Sequence, residues 1–283
     1  MNEYGPDLFK GTAVYYSEYR PQYPSSLIRF LIHKFSLNGE GRLLDLGCGT
    51  GQLALRFSDW FEEIIGVDTE REMLAEANRL SKNYRVDNVG WIQGRAEELL
   101  NDWGSFRLTI LAKAFHWMDR ASILEILYHS LDDNGGLAII DTFNVEQEPL
   151  SWQLKVNEVV KRWLGNERIA GDSTYTHPKE RHEDVVARSS FEDVERMDLP
   201  SYSITWTVDS ILGNLYSTSY ASKRLFGDHL ERFEADMKSS LLEIEPSGKF
   251  TEELSVSVIT AFKHKCLRRP YKDDKRLSEK YKT

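Results

Sequence analysis

Two cysteines in 283 residues, Cys48 and Cys266, are too few for a disulfide framework, and both read as free thiols. No stretch approaches the roughly 20 consecutive apolar residues that cross a bilayer. The first twenty residues hold Glu3, Asp7, Lys10 and Glu18 without an apolar run, which excludes a signal peptide there. These features point to a cytoplasmic protein with no membrane association. Positive charge is short as well: 36 Lys and Arg stand against 45 Asp and Glu, a formal net charge of −9. That is the wrong sign for a broad nucleic-acid footprint. The exception is the stretch from Lys263 to Thr283, where nine basic residues face three acidic ones; it reads as a solvated basic tail.

A hydrophobic content of 41% supports a real core. Through the first half of the chain, short apolar runs alternate with amphipathic stretches, the rhythm of βαβ units around a parallel sheet. Strands are predicted at Arg42 to Leu46, Glu63 to Val67, Val89 to Gln93, Leu108 to Lys113 and Leu137 to Asp141. Thr69-Glu70-Arg71-Glu72 reads as a capping box that starts a helix carrying Met73, Leu74, Ala77 and Leu80. Asp119 is placed to cap the next one. Beyond Asp141 the rhythm breaks. A helix with Trp152, Val156, Val159, Val160 and Trp163 on one stripe marks an insertion at about 142–190. Later, Ile204, Trp206 and Val208, then Leu254, Val256 and Val258, alternate with polar residues as half-exposed strands that close the sheet antiparallel. The organisation expected is an N-terminal lid and helix (1–40), a main domain with its cap insertion (41–262) and the tail (263–283).

The strongest local signal is Leu43-Leu44-Asp45-Leu46-Gly47-Cys48-Gly49-Thr50-Gly51, a strand that runs into glycines at every second position. Such a loop turns sharply and approaches a ligand closely. A dinucleotide fingerprint uses the same device but sets its third glycine one residue further on. The carboxylate of Asp45 would repel a pyrophosphate and attract a cation. Asp68 lies at the end of the second strand, 21 residues beyond Gly47. That is close to the roughly 20-residue offset at which an acid meets ribose hydroxyls.

In these residues the chain resembles the class I S-adenosylmethionine-dependent methyltransferases, in particular small-molecule enzymes such as those acting on trans-aconitate and in quinone pathways. Asp45 to Gly51 is similar to the family's first motif, Gly66-Val67-Asp68 to its second and Gly94-Arg95-Ala96-Glu97-Glu98-Leu99 to its third. Ala112 to Asp119 looks like the segment lining the methyl-transfer pocket, and Asp133-Asn134-Gly135-Gly136 like the turn before the fifth strand. Arg95 departs from the pattern, standing where many relatives have Asp, so the adenine contact passes to Ala96 or Glu97.

The resemblance implies an α/β, Rossmann-like fold: a seven-stranded, mostly parallel sheet with helices on both faces and its last strand antiparallel. It implies S-adenosylmethionine as cofactor and S-adenosylhomocysteine as product. The cofactor would be held by Asp45, Gly47, Cys48, Gly49 and Gly51, by Asp68, Thr69 and Met73, by Arg95, Ala96 and Glu97, and by Lys113 and Ala114. Tyr16, Tyr19 and Arg20 resemble the family's N-terminal lid and would complete the site. The acceptor implied is a small molecule, methylated at O, N or C by in-line transfer, on a monomer or homodimer.

His116 follows the fourth strand at the end of the sheet where α/β folds bind ligands, which makes it the candidate general base. No metal is expected: His177, His182, Glu183 and Asp184 fit no zinc spacing and read as a solvated loop. Two rival functions share the cofactor half of the chain. An RNA or protein methyltransferase would need a different acceptor surface, and a non-catalytic cofactor-binding protein would bind without turnover.

Overall fold

The computed structural model describes residues 8–95, 103–146, 148–166, 169–170, 173–174 and 180–264. Ala96, Glu97, Tyr175, His177, Cys266 and nearly all of the basic tail lie outside the described residues. The helices are α1 (Ala13–Tyr19), α2 (Ser25–Lys34), α3 (Arg71–Tyr84), α4 (Arg120–Ser130), α5 (Ser151–Leu164), α6 (His182–Ala187), α7 (Val208–Tyr216) and α8 (Leu230–Ile244). The strands are β1 (Arg42–Leu46), β2 (Glu63–Asp68), β3 (Val89–Gln93), β4 (Phe106–Ala112), β5 (Leu131–Asn144), β6 (Ile169–Ala170), β7 (Ser173–Thr174), β8 (Glu192–Asp198), β9 (Tyr202–Thr207) and β10 (Lys249–Phe262).

The main sheet runs β3-β2-β1-β4-β5-β10-β8, with β9 as an eighth strand paired to β10. Strands β1 to β5 are parallel to one another, and β10 is antiparallel to both β5 and β8. The expectation of a parallel sheet with a late antiparallel strand holds; among the described residues the sheet has eight strands, not seven. The extra strand arises because β10 is 14 residues long. One stretch of its edge, from Ser257, takes β8, and the preceding stretch, Lys249 to Leu254, takes β9.

Alternation along the strands divides the core between the two faces. Leu44 and Leu46 join Ile123, Leu124, Leu127 and Val186 under α4 and α6. Leu43 joins Leu27, Leu31, Phe57 and Ile64 under α2. A third apolar cluster packs Val159, Trp206, Ile211, Phe226, Phe233 and Phe250 where α5, α7 and α8 meet β9 and the extended start of β10. The helical layer therefore draws on residues 206–250 as much as on α5.

Two local expectations shift, and one strand had not been expected. The N-cap of α3 is Glu70, whose side chain accepts from the Glu72 N–H, and not Thr69. Asp68 causes this by accepting the Glu70 N–H at 2.9 Å, which tightens the turn and delays the helix. Val208 is not in a strand but opens α7, where Thr207 and Ser210 cap each other reciprocally. The β8 strand has no sequence signature because nearly all of its residues are exposed and charged, as a solvated edge permits.

Candidate active site

The glycine loop is built on the C-terminal end of β1. The Gly47 and Cys48 N–H groups both donate to the Val67 carbonyl, at 2.8 and 3.0 Å, which ties the loop to β2. Gly47 has φ +74°, and a Cβ there would stand 2.4 Å from the Ala114 Cβ. Only glycine lets these two segments approach so closely.

Asp68 carries the opposite wall. Its carboxylate accepts the Gly49 N–H at 2.8 Å as well as the Glu70 N–H, so it braces the loop and the α3 turn together. Burial raises its pKa against the pull of those bonds. Asp45 is 2% exposed, accepts the Ala54 N–H at 3.2 Å and is pushed up to about 7 by burial, with the Asp68 charge adding to it. Among the described residues, no cationic side chain is a cause of either shift. Two buried acids whose ionised forms are disfavoured by burial make a spot that a bound cation would neutralise.

A cleft opens between these walls. It is lined by Tyr16, Gly47, Gly49, Asp68, Thr69 and Met73, and by Arg95, Lys113 and Ala114 from the far side. Nine of the residues expected to hold the cofactor are thus brought together from five separate stretches of chain. Leu46, Val67, Trp117 and Met118, which add apolar surface, fall inside the motifs named above without having been singled out, and sequence reasoning missed Leu8 and Phe9 altogether. The positions of Leu46 and Val67 at strand ends were the available signal; for Phe9, set edge-on to Trp117 at 6.1 Å, none existed.

Other expected residues stand elsewhere. Tyr19 packs on Gly213 of α7 and stacks with Tyr15, away from the cleft. The Cys48 thiol is buried behind the loop, its pKa raised by burial. Gly51 faces the Trp91 indole, where an added Cβ would come within 2.4 Å, so it serves the packing of the loop on β3. Asp45 sits just beneath the cleft. Arg20 lies over the Tyr16 ring at 5.1 Å and donates to the Ser217 carbonyl.

Tyr16 and Lys113 also border a second cavity, of about 230 Å³, with Arg20, Tyr23, Asn214 and Glu252. That cavity shares Asn144, Trp206, Asn214 and Glu252 with a third, of about 480 Å³, which adds Trp152 and Tyr220. Lys113 occupies the junction in a left-handed backbone conformation, φ +54°, a strained geometry for a non-glycine residue. Its Nζ donates to the Thr142 hydroxyl at 2.8 Å. Burial lowers the Lys113 pKa, and the Arg20 charge adds to that. Glu252 accepts from the Trp206 and Gln153 side chains at 2.7 and 2.8 Å, and burial raises its pKa. Among the described residues, the Trp152 Nε1 and Asn214 Oδ1 atoms are buried without a partner.

His116 occupies a 3-10 turn, Phe115–Trp117, between Ala114 and Trp117 of the cleft wall but is not itself among the lining residues. His182, far away in sequence, stands beside it with ring centroids 6.4 Å apart. Glu183 pairs with Arg196 at 3.1 Å.

Comparison with known proteins gives this geometry its context. Residues 43–135 match the family described as methyltransferase domain. An uncharacterized methyltransferase of Schizosaccharomyces pombe is 32% identical over 158 residues, 56% of this chain and 60% of that protein. The match thus spans about three fifths of that relative's length. Among solved structures, the YcgJ protein of Bacillus subtilis superposes over 85% of this chain and 99% of its own, at a TM-score of 0.54 and 20% identity. A methyltransferase of Geobacter sulfurreducens, solved in complex with S-adenosylhomocysteine, covers 91% of this chain and 98% of its own, with a TM-score of 0.52 and 19% identity. Residues 43–135 carry a methyltransferase domain, and beyond them the likeness to these solved structures is one of fold.

Proposed function

We propose that the protein transfers a methyl group from S-adenosylmethionine to a small-molecule acceptor held in the two cavities beyond Lys113. The observation that carries the cofactor half is the pair Asp45 and Asp68. A pyrophosphate would meet two buried carboxylates, whereas an ammonium or sulfonium would neutralise them. The cleft fits the group: Asp68 keeps lone pairs for a ribose diol while bracing Gly49, and the missing Cβ of Gly47 leaves room against Ala114. When bound, S-adenosylmethionine supplies an electrophilic methyl on a positive sulfur.

The chain's own residues do the rest. Tyr16, from α1, covers the cleft, and α1 is tied to α3 by the Ser17 hydroxyl donating to Glu76 at 2.5 Å. Thr69 and Met73 line the cleft beside Asp68, and Arg95 borders it from the far side. Lys113 and Arg20 place positive charge at the mouth of the acceptor cavities, which orients an anionic or polar nucleophile toward the cleft. Placement alone suffices for an acceptor that is already an anion. For one that must lose a proton, His116 is the imidazole at hand beside the cleft wall.

A small acceptor is favoured over RNA because the cavities are bordered by Trp152, Trp206, Tyr220, Glu146 and Glu252 rather than by a basic stripe. Calorimetry with S-adenosylmethionine, S-adenosylhomocysteine and NAD tests the cofactor assignment. Heat with the first two supports it, and heat with NAD alone overturns it. A metabolite panel scored by S-adenosylhomocysteine release then tests turnover.

A further inference from the structure

Three side chains from distant parts of the chain meet beside the cleft: His116 in the turn after β4, Asp141 near the end of β5 and His182 at the start of α6. Each offers one donor atom, those atoms lie within 4.8 Å of one another, and all three residues are half-buried. Two imidazoles and a carboxylate held by separate elements form a donor set suited to borderline divalent transition metals. We propose that His116, Asp141 and His182 bind one divalent transition cation of zinc or cobalt chemistry, leaving a coordination position open to water or a ligand oxygen. Nothing in this assignment depends on the methyltransferase reading.

Donor atoms on a tetrahedral ion at about 2.0 to 2.1 Å stand about 3.4 Å apart. The trio must therefore draw together by rather more than 1 Å at most, a movement that side-chain rotation at half-buried positions supplies. Asp141 Oδ1 already accepts the Thr142 N–H at 2.9 Å, and at His182 a cationic group competes with the metal ion. Arg120 Nη1 lies 3.2 Å from His182 Nδ1. Because a guanidinium only donates, it occupies the one nitrogen lone pair of a neutral His182. The contact is exchangeable, since the same Arg120 nitrogen donates to the Glu180 carbonyl at 2.9 Å and Nη2 stands 4.0 Å from the Glu180 carboxylate. On metal binding Arg120 keeps those partners, and the cation takes the lone pair it releases. A ligated imidazole cannot accept a proton, so this role for His116 and the role of general base exclude one another.

The test uses the full chain, tag removed and treated with chelator, titrated with CoCl2 and ZnCl2 by calorimetry and, for cobalt, by visible absorption. One site per chain is expected, with the d–d bands of a four- or five-coordinate cobalt ion. Asp141→Asn and His182→Gln should each weaken binding by about 30-fold or more. Arg120→Met should tighten it, by about 10-fold, through removal of a competitor and a like charge. An unchanged circular dichroism spectrum and urea-unfolding midpoint establish that the variants fold. Absence of saturable binding below millimolar metal would overturn the proposal and leave a hydrogen-bonded cluster. Equal binding by wild type and both ligand variants would overturn it too, since the ion would then sit on other histidines or on a cysteine. Weaker binding in Arg120→Met would refute the exchange that makes the site available.

Discussion

Replacing Asp68 separates the two jobs the structure gives its carboxylate. It accepts the Gly49 N–H at 2.8 Å and the Glu70 N–H at 2.9 Å, and it lines the cleft where the ribose diol is proposed to sit. Hydrogen bonds to a charged acceptor contribute about 1.5 to 3 kcal/mol each. In Asp68→Ala the two amides lose their acceptor but border an open cleft, where water takes its place, so the cost to folding should be about 1 to 2 kcal/mol. The ligand loses its diol acceptor and also meets a loosened glycine loop. S-adenosylhomocysteine binding should therefore weaken by about 2 to 3 kcal/mol, roughly 30- to 150-fold. Asp68→Asn keeps one carbonyl acceptor and should lose about 10-fold, between the two. Calorimetry at pH 7.5 with urea unfolding of each variant reads both effects. If Asp68→Ala bound within threefold of wild type while losing stability, Asp68 would be a brace for the loop and no ligand contact.

Further outcomes follow from other parts of the site. Asp45 has a folded pKa near 7 against an ordinary 3.8, so the folded chain holds a proton that the unfolded chain has released. This favours folding at low pH and is lost as pH rises from about 4 through 7. Relative to wild type, ligand-free Asp45→Asn should gain stability over that window, by at most about 4 kcal/mol. Urea titrations at pH 5, 6, 7 and 8 check this, and a difference that did not change with pH would refute it. Wild-type affinity for S-adenosylmethionine should likewise rise up to about pH 7, because the cation binds the ionised carboxylate. Gly47→Ala carries a left-handed φ cost of about 1 to 2 kcal/mol plus a clash with Ala114, and should abolish ligand binding. The double variant with Ala114→Gly should recover part of the lost melting temperature but not all of it. Hydrogen exchange with S-adenosylhomocysteine should show new protection in α1, which brings Tyr16 over the cleft, and in α5 of the acceptor cavities. Protection confined to residues 45–51 would count against a covering role for both.

The parallel half of the fold was legible because its signals are local. Runs such as Leu43 to Leu46 must be apolar to be buried on both faces of a central strand, and glycines at Gly47 and Gly49 are demanded by the backbone itself. The positions of Asp45 and Asp68 at strand ends follow from the same short-range pattern, which is why part of the cleft's lining could be named from the sequence. Side-chain direction could not. Whether Gly51 meets a ligand or Trp91, and whether Tyr19 or Tyr16 turns inward from one short helix, depends on which neighbour packs against it. Alternation revealed β9 and the middle of β10, but the full length of β10 that seats both β9 and β8 was hidden, and β8 itself, an exposed and charged edge, left no periodic trace. Amino-acid order alone also could not bring His116, Asp141 and His182 within 4.8 Å. Their donors meet only because the sheet aligns the ends of β4 and β5 and α6 folds back over them, a contact set by long-range packing and not by spacing along the chain.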